Sequence, residues 1–473
     1  MIELLQLLDE VLKKRLNISD FLDALTVDAL RKRASDIHIE SKEGGGLLVR
    51  YRIDGVLRDI ITVTPELKES LLFIIKVRAK LRTDIHLAPQ DGKIPFIIKK
   101  ELLDVKRGKQ EEEKPEEVNE TAEEQKEEEG EKKKGRKKDK EEDEIEEIKV
   151  LNRLSKFKDE KSDSYNVDAR VSILPVTFGE KVVIRLLTQA NRSYSLTDLG
   201  FNDDDLRKLE SAYREPYGLI LITGPTGSGK TTTLYSILKI LNTKEVNITT
   251  IEDPVEYSIE GVNHIQINTK SNLTFATGLR SILRQDPNII MVGEIRDTET
   301  ARITVNSALT GHLVLSTLHA NDSVSTIPRL VDMGIEPFLV ASTLNIVVAQ
   351  RLARKLCPKC KKEYIAKNNE NHKTLLALRP DIAKYLKPDD KLYTAVGCEE
   401  CGNIGYMGRT GIYEILEINK PLRDAILENP TMDNILAVAK KNGLKLMIED
   451  AVQKLKNGDI DLKELIKVIA IKD

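Results

Sequence analysis

Hydrophobic and polar positions repeat with different periods along the chain, and the changes of period divide it into segments. Residues 1–35 repeat apolar side chains at helical spacing, which predicts helices. Between residues 34 and 61 the period becomes two, and Asp54-Gly55 separates two such stretches, which predicts a β-hairpin at the start of a small α+β domain. Further elements of this domain are predicted as a helix at 67–81 and strands at 93–98, 168–173 and 179–187.

The segment from residue 104 to about 164 differs in kind from its surroundings. It consists largely of Glu and Lys runs, which cannot bury a core. We interpret it as a disordered or partly helical insert between the strands at 93–98 and 168–173. A solvated insertion is one interpretation of its role, and a docking segment for a partner is the other.

Composition adds limits on class and location. A chain of 473 residues is long enough for two to four domains with real cores. Its 74 basic and 77 acidic residues nearly cancel, so no global field indicates a nucleic acid or a membrane as partner. No apolar run reaches the length of a membrane span, and the acidic start does not resemble a signal peptide. A cytoplasmic location is therefore expected.

Residues 224–231 read Gly-Pro-Thr-Gly-Ser-Gly-Lys-Thr and match the pattern Gly-x4-Gly-Lys-Ser/Thr. An apolar strand pattern at 218–223 precedes them and a helical stripe at 232–241 follows, which is the order this phosphate-binding motif needs. Lys230 would reach the β- and γ-phosphates of ATP, and the Thr231 hydroxyl would ligate Mg²⁺. The predicted nucleotide contacts are Gly224, Pro225, Thr226, Gly227, Ser228, Gly229, Lys230, Thr231 and Thr232.

Two further strand patterns end in carboxylates. The strand at 248–252 is followed at once by Pro254, and Glu252 and Asp253 at its end could hold Mg²⁺ through water or position an attacking water. The apolar strand before Glu294 resembles one that usually ends in Asp-Glu, but Gly293 stands in the place of the Asp. Glu294 is predicted as the base that orients the hydrolytic water, and a surface glutamate is the alternative.

Histidines and arginines supply candidates for contact with phosphate. His312 and His319 flank a predicted strand, and we expect at least one of them to sense the γ-phosphate. A metal site and a hydrogen-bonded structural histidine are the alternatives. Arg280 and Arg284 lie four residues apart on a predicted helix, so they share a face from which one could reach a phosphate.

All four cysteines fall in two Cys-x2-Cys pairs, Cys357 with Cys360 and Cys398 with Cys401. Two such pairs without a spare thiol predict a tetrahedral structural zinc site, and a cytosolic setting disfavours disulfides. A nucleic-acid-binding ribbon is the lesser alternative. The region after this element is predicted to be a turn-rich hairpin followed by helices.

Together these motifs closely resemble those of the hexameric secretion ATPases of type II secretion and type IV pilus assembly. The matching stretches are 34–40, 51–55, 224–231, 250–256, 292–297, 310–321 and the paired Cys-x2-Cys motifs. The resemblance implies an α/β fold: a RecA-like P-loop NTPase core, a smaller N-terminal α+β domain that is PAS-like, and a C-terminal zinc-binding helical region. It also implies that Arg170 and Arg185 reach the nucleotide from the N-terminal domain.

The resemblance further implies a function and partners. ATP hydrolysis with Mg²⁺ in a homo-hexameric ring would power the extrusion of pilin-like subunits. The partners would be an inner-membrane platform protein and a membrane-anchored cytoplasmic adaptor, with no direct insertion into the membrane and no nucleic acid. The cysteine motifs favour assembly over retraction. A DNA-uptake or conjugation motor and a non-catalytic nucleotide-binding scaffold are the alternatives.

The predicted domain boundaries follow from these segments. They are 1–20 for a short helical N-terminus, 21–188 for the PAS-like domain, 104–164 for its insert, 189–198 for a linker, 199–355 for the RecA-like domain, 356–402 for the zinc element and 403–473 for the helical region.

Overall fold

The computed structural model describes residues 2–14, 16–99, 164–187, 194–377 and 379–469. The chain forms two compact units, Met1–Gln189 and Ala190–Asp473. The predicted insert at 104–164, apart from its last residue, and the first half of the predicted linker at 189–198 lie outside the described residues.

In its described residues, the first unit combines three helices with an antiparallel six-stranded sheet. The helices are α1 (Ile2–Leu12), α2 (Ile18–Arg31) and α3 (Pro65–Arg78), and the strands are β1 (Ala34–Ser41), β2 (Leu47–Ile53), β3 (Val56–Val63), β4 (Gln90–Lys99), β5 (Ser164–Val176) and β6 (Gly179–Leu187). The sheet order is β3-β2-β1-β6-β5-β4. Asp54 and Gly55 have φ angles of 48° and 84°, as a two-residue hairpin turn between β2 and β3 requires. The predicted α+β character of this unit is confirmed.

A seven-stranded sheet forms the centre of the second unit. Its strands are β7 (Gly218–Thr223), β8 (Ile248–Glu252), β9 (Val262–Gln266), β10 (Ile289–Val292), β11 (Leu313–Leu318), β12 (Leu344–Leu356) and β15 (Tyr406–Glu417), in the order β15-β12-β7-β11-β10-β8-β9. The six strands from β12 to β9 are parallel. Every residue of β7, β8, β10 and β11 is buried, which explains why β7 and β10 read as continuous apolar runs rather than as alternating patterns.

Helices connect and cover these strands. They are α4 (Asp203–Tyr213), α5 (Lys230–Leu241), α6 (Phe275–Ile282), α7 (Thr298–Leu309), α8 (Thr326–Asp332) and α9 (Pro337–Thr343). In a parallel sheet the carboxyl ends of the strands meet at one edge, where ligands bind. The loops after β7, β8, β10 and β11 therefore share one edge of this sheet.

The chain after β12 differs in part from the prediction. Between the cysteine pairs it forms a two-stranded sheet, β13 (Lys362–Ile365) with β14 (Lys391–Thr394), and the short helices α10 (Glu370–Ala377) and α11 (Pro380–Ala383). Residues 402–411 are predicted as a turn-rich hairpin at the start of the helical region 403–473. Residues 406–417 form instead the single strand β15, which pairs antiparallel with β12 and covers its open edge. Helices α12 (Lys420–Glu428), α13 (Met432–Lys441), α14 (Met447–Lys456) and α15 (Leu462–Val468) complete the described chain.

Among the helices that the structure describes, none is both long and apolar enough to cross a bilayer.

Candidate active site

The phosphate loop joins the carboxyl end of β7 to the first turn of α5, as its sequence predicts. The predicted contacts from Gly224 to Gly229 form the loop, and Lys230, Thr231 and Thr232 begin the helix. The Ser228 Oγ is buried and has no hydrogen-bond partner in the described part of the chain. Because a buried hydroxyl without a partner is costly, this atom indicates that the loop is built to hold a polar ligand such as a phosphate.

Gln350 on β12 packs against the phosphate loop, and it was not among the residues predicted from the sequence. Its side chain is 1% exposed, and its Oε1 accepts a hydrogen bond from the Thr233 hydroxyl at 2.8 Å. A Cβ added at Gly229 would lie 2.8 Å from Gln350 Nε2, and one at Gly224 would lie 2.3 Å from the Gln350 carbonyl oxygen. These two glycines are therefore required by the close approach of β12. A polar residue inside an apolar strand was the signal that could have identified Gln350.

We expect Gln350→Leu to weaken nucleotide binding while the fold is kept. The Thr233 hydroxyl would lose its short acceptor, which costs about 1–2 kcal/mol, or roughly five- to thirtyfold in Kd. Titration with a fluorescent ATP analogue measures this change. Gln285→Leu, the same substitution at an exposed position, is the control and should bind like the unaltered protein. Equal affinities for the two variants would exclude the supporting role of Gln350.

Lys230 lies within the loop that it is expected to serve. Its Nζ donates to the carbonyl oxygens of Gly224 at 2.9 Å and Pro225 at 3.1 Å. Burial lowers the pKa of Lys230, and the carboxylate of Glu294 opposes that shift. The ammonium group therefore lies at the loop and within the electrostatic reach of Glu294, where phosphate oxygens could replace the two carbonyl acceptors.

Glu294 lies just beyond the carboxyl end of β10 and is held by two neighbours. It forms an ion pair with Arg296, and its Oε2 is 3.4 Å from His319 Nε2. Arg296 also approaches Asp253, with its Nη1 at 3.5 Å from Asp253 Oδ2. The structure thus brings together Glu294, Asp253 and His319, which the sequence suggested separately. Arg296 is a further member of this cluster that the sequence analysis did not assign.

Gly293 occupies a position with little space for a side chain. Its N–H donates to the Ile251 carbonyl oxygen at 2.8 Å, so the backbone lies directly beside β8. A Cβ at this position would lie 3.3 Å from both Glu252 Cα and the Ile251 oxygen. The aspartate usual at this place would strain the neighbouring strand, so Thr231 and Asp253 remain the candidates for holding Mg²⁺.

Glu252 is placed differently from its prediction. Its side chain is 2% exposed, and it accepts hydrogen bonds from the hydroxyls of Tyr235 at 2.5 Å and Thr250 at 2.6 Å. A third contact, at 3.0 Å, joins its Oε1 to His264 Nδ1. Both carboxylate oxygens are thus engaged by the protein, which is inconsistent with Glu252 as a direct ligand of Mg²⁺.

His312 lies at the wrong end of its strand for the predicted role. Its Nδ1 donates to the Ser307 carbonyl oxygen at 3.0 Å. It precedes β11, whose first residue Leu313 pairs with Gly218, whereas the phosphate loop follows Thr223 at the other end of β7. Five residues of strand, about 17 Å, separate the two ends. The prediction that His312 senses the γ-phosphate is therefore wrong for a nucleotide bound at this loop, whereas His319 lies at the correct end.

The candidate arginines have other partners in this structure. Arg280 pairs with Glu299, and Arg284 donates to the Arg280 carbonyl oxygen at 2.9 Å. Arg170 and Arg185 face each other across β5 and β6, and Arg185 Nε donates to the buried Asp36 at 3.0 Å. The contact of any of these arginines with phosphate stays a prediction.

The four cysteines form one cluster. Their Sγ atoms all lie within 4.8 Å of one another, with separations of 3.9 Å (Cys357 to Cys398), 3.8 Å (Cys360 to Cys401) and 3.7 Å (Cys398 to Cys401). A tetrahedral zinc with Zn–S bonds of about 2.3 Å requires S···S separations of about 3.8 Å. A disulfide requires only about 2.05 Å. The geometry therefore fits the predicted metal and excludes disulfides.

Backbone amides around the cluster also suit thiolate ligands. N–H groups of Gly397 and Gly405 donate to Cys360 Sγ at 3.3 Å and Cys401 Sγ at 3.2 Å. Cys357 directly follows β12, and the second pair precedes β15. A metal held here would therefore join the ends of two paired strands and would have a structural role, because four protein ligands leave no open position.

Removal of the metal should destabilise this region. We expect one zinc per chain in the unaltered protein and less than about a tenth of that in Cys360→Ser, measured by atomic emission. Because binding of a structural zinc contributes directly to folding, the variant and chelator-treated protein should unfold several degrees lower. Ser271→Ala, at an exposed position outside the cluster, is the control. Full stability without zinc would contradict a structural metal site.

Comparison with known proteins decides the family. A family model described as "Type II/IV secretion system protein" matches residues 12–109 and 159–467. The chain belongs to this family. It is 38% identical over 449 residues to the Type II secretion system protein E of Aeromonas hydrophila, covering 94% of this chain and 74% of that protein. It is 38% identical over 447 residues to the Type IV pilus assembly ATPase PilB of Myxococcus xanthus, covering 94% and 66%.

Solved structures show the same fold for this member of the secretion family. The Legionella pneumophila ATPase DotB aligns with a TM-score of 0.59 at 19% identity, over 94% of each chain. The pilus retraction motor PilT with bound ADP aligns with a TM-score of 0.55 at 22% identity, over 95% of this chain and 97% of that one. The predicted family and the predicted α/β fold class are thus confirmed.

Proposed function

We propose that the protein is a cytoplasmic ATP-hydrolysing motor that powers the assembly of pilin-like subunits in type II secretion or type IV pilus biogenesis. The observation that carries the proposal is the position of the Lys230 Nζ on the phosphate loop together with that of Glu294 just beyond β10. Both residues lie at the carboxyl edge of a parallel sheet, in a chain whose relatives are named secretion and pilus-assembly proteins.

The residues at this edge of the sheet have different roles in phosphoryl transfer. Loop amides and Lys230 bind and orient the phosphates, which supplies most of the rate gain in this reaction class. Glu294 orients the attacking water and accepts its proton, and His319 and Arg296 hold Glu294 in place. Mg²⁺, held by Thr231 and Asp253, would neutralise charge on the β- and γ-phosphates.

The motor works as a homo-hexameric ring at the inner membrane through protein partners. These partners are a platform protein and a membrane-anchored adaptor, as expected for the family. Arg170 and Arg185 contribute guanidinium groups to the nucleotide, and such arginines can raise kcat by about 10³–10⁵-fold. Hydrolysis would then depend on the arrangement of the subunits and would couple to motion.

Phosphate release by the purified full chain tests the activity. We expect Mg²⁺-dependent release of phosphate from ATP, with a rate per subunit that increases with protein concentration because rings form. Native mass spectrometry counts the subunits. Nucleotide binding without phosphate release would contradict the motor function and indicate a non-catalytic nucleotide-binding scaffold. Stimulation by DNA would favour a DNA-uptake or conjugation motor over a pilin-extruding one.

A further inference from the structure

A buried polar network lies behind the phosphate loop and has no role in the steps described so far. Its centre is Glu252, which contacts Tyr235 on α5, Thr250 on β8 and His264 on β9. All four side chains are buried or nearly so. The network therefore connects the helix of the phosphate loop to two adjacent strands inside the second unit.

The hydrogen bonds fix the protonation states of the members. His264 Nε2 accepts the N–H of Ile259 at 3.0 Å, so the proton of a neutral ring is on Nδ1, which faces Glu252. Glu252 then accepts from three donors and has none to offer, as an ionised carboxylate does. Burial and the charge of Glu252 both raise the pKa of Tyr235, so its hydroxyl stays a donor. Such charge-assisted bonds are short and strong in a buried site.

The position of each member relates the network to the reacting groups. Tyr235 is five residues after Lys230 on α5, so its bond to Glu252 fixes the helix whose first turn carries Lys230 and Thr231. Glu252 also precedes Asp253, and its backbone lies against Gly293, the residue before Glu294. Glu252 is therefore in contact with the helix that carries Lys230 through its carboxylate and adjoins the segment that carries Glu294 through its backbone.

We propose that Glu252 is a positioning residue that acts through Tyr235, rather than a ligand of Mg²⁺. Its bond to Tyr235 fixes the position of α5, which carries Lys230, relative to the segment that carries Glu294. His264 and Thr250 donate to Oε1 of Glu252 and orient its carboxylate for this bond. The proposal rests on the proposed ATPase function and assigns Tyr235 and His264 a part in it.

Three variants test the proposal: Tyr235→Phe, Glu252→Gln and the double variant. Phenylalanine removes the hydroxyl, and glutamine offers one acceptor oxygen to three donors. We expect each single change to lower kcat about tenfold or more, because small misplacements of reacting groups are costly. The kcat of the double variant should be no lower than that of the less active single variant, since both changes break the same interaction. The Mg²⁺ concentration for half-maximal activity should stay within about twofold.

Control and contrary outcomes separate this role from its rivals. Tyr217→Phe, the same substitution at an exposed position, should leave kcat unchanged. A raised Mg²⁺ requirement in Glu252→Gln alone would mark Glu252 as a metal ligand and overturn the proposal. Additive losses, or a lower melting temperature with normal kcat, would overturn it as well.

A second measurement keeps the test independent of turnover. Affinity for a fluorescent ATP analogue should fall about fivefold in all three variants, because the loop side of the site is misplaced. If the unaltered protein binds the analogue without hydrolysing it, the proposed function fails while the network is still tested by this change in affinity. Unchanged affinity together with unchanged kcat would reject the network.

Discussion

Lys230→Ala should abolish detectable ATP turnover and reduce nucleotide affinity strongly. The ammonium group would make two or three charge-assisted hydrogen bonds to phosphate oxygens, each contributing about 1.5–3 kcal/mol. Their loss corresponds to roughly 10²–10⁴-fold or more in kcat/KM. In the structure this group already lies among the loop carbonyl oxygens of Gly224 and Pro225, so no other side chain needs to move for the effect. Phosphate release under saturating ATP measures turnover.

A matched substitution distinguishes a local effect from a general one. Lys244→Ala removes an exposed lysine shortly after the same helix and should leave turnover within twofold. Thermal unfolding of the two variants should agree within a few degrees, because Lys230 lies in the first turn of α5 rather than in the hydrophobic core. Substantial hydrolysis by Lys230→Ala would disprove the assignment of the phosphate loop.

Glu294→Gln should separate binding from chemistry. The amide has nearly the same shape but cannot accept the proton of the attacking water, and a positioned base contributes about 10²–10⁴-fold to kcat. We therefore expect a fall of that size in kcat, with the Kd for ATP changed by no more than about threefold. A filter-binding assay with labelled ATP, combined with single-turnover hydrolysis, measures both quantities. The variant should trap the nucleotide unhydrolysed.

Two comparisons make this result specific. Glu245→Gln, at an exposed position, should retain normal kcat. Because Arg296 and His319 contact the carboxylate, they would face a neutral partner in Glu294→Gln, and nucleotide binding shows whether the site survives this change. Normal turnover in Glu294→Gln would transfer the role of base to another residue.

The local motifs of this chain could be predicted because their signals are contained in short stretches. The phosphate loop, the hairpin at Asp54-Gly55 and the cysteine pairs each depend on neighbours along the chain. His312 and His319 could not be separated in this way. They flank the same strand symmetrically in sequence, and only the parallel direction of that strand in the sheet decides which one reaches the loop.

Contacts between stretches that are distant in the chain account for the other differences between the predicted and the observed site. Glu252 looked like an accessible carboxylate at a strand end, but Tyr235 and His264 cover it from separate elements. Gln350 supports a loop that lies more than a hundred residues earlier in the chain, so its role depends on which strand neighbours β7. Such pairings follow from sheet order, which periodicity alone does not specify.

Strand β12 carries two features that meet different parts of the molecule. Gln350 lies in its middle, against the nucleotide loop, and Cys357 follows its end. Seven residues of extended chain, about 23 Å, connect the sulfur cluster with the loop. We therefore expect metal starvation or thiol oxidation in the cell to lower the rate of ATP hydrolysis indirectly. Loss of the metal would loosen β12 and displace Gln350 from the loop, without any direct chemistry with ATP.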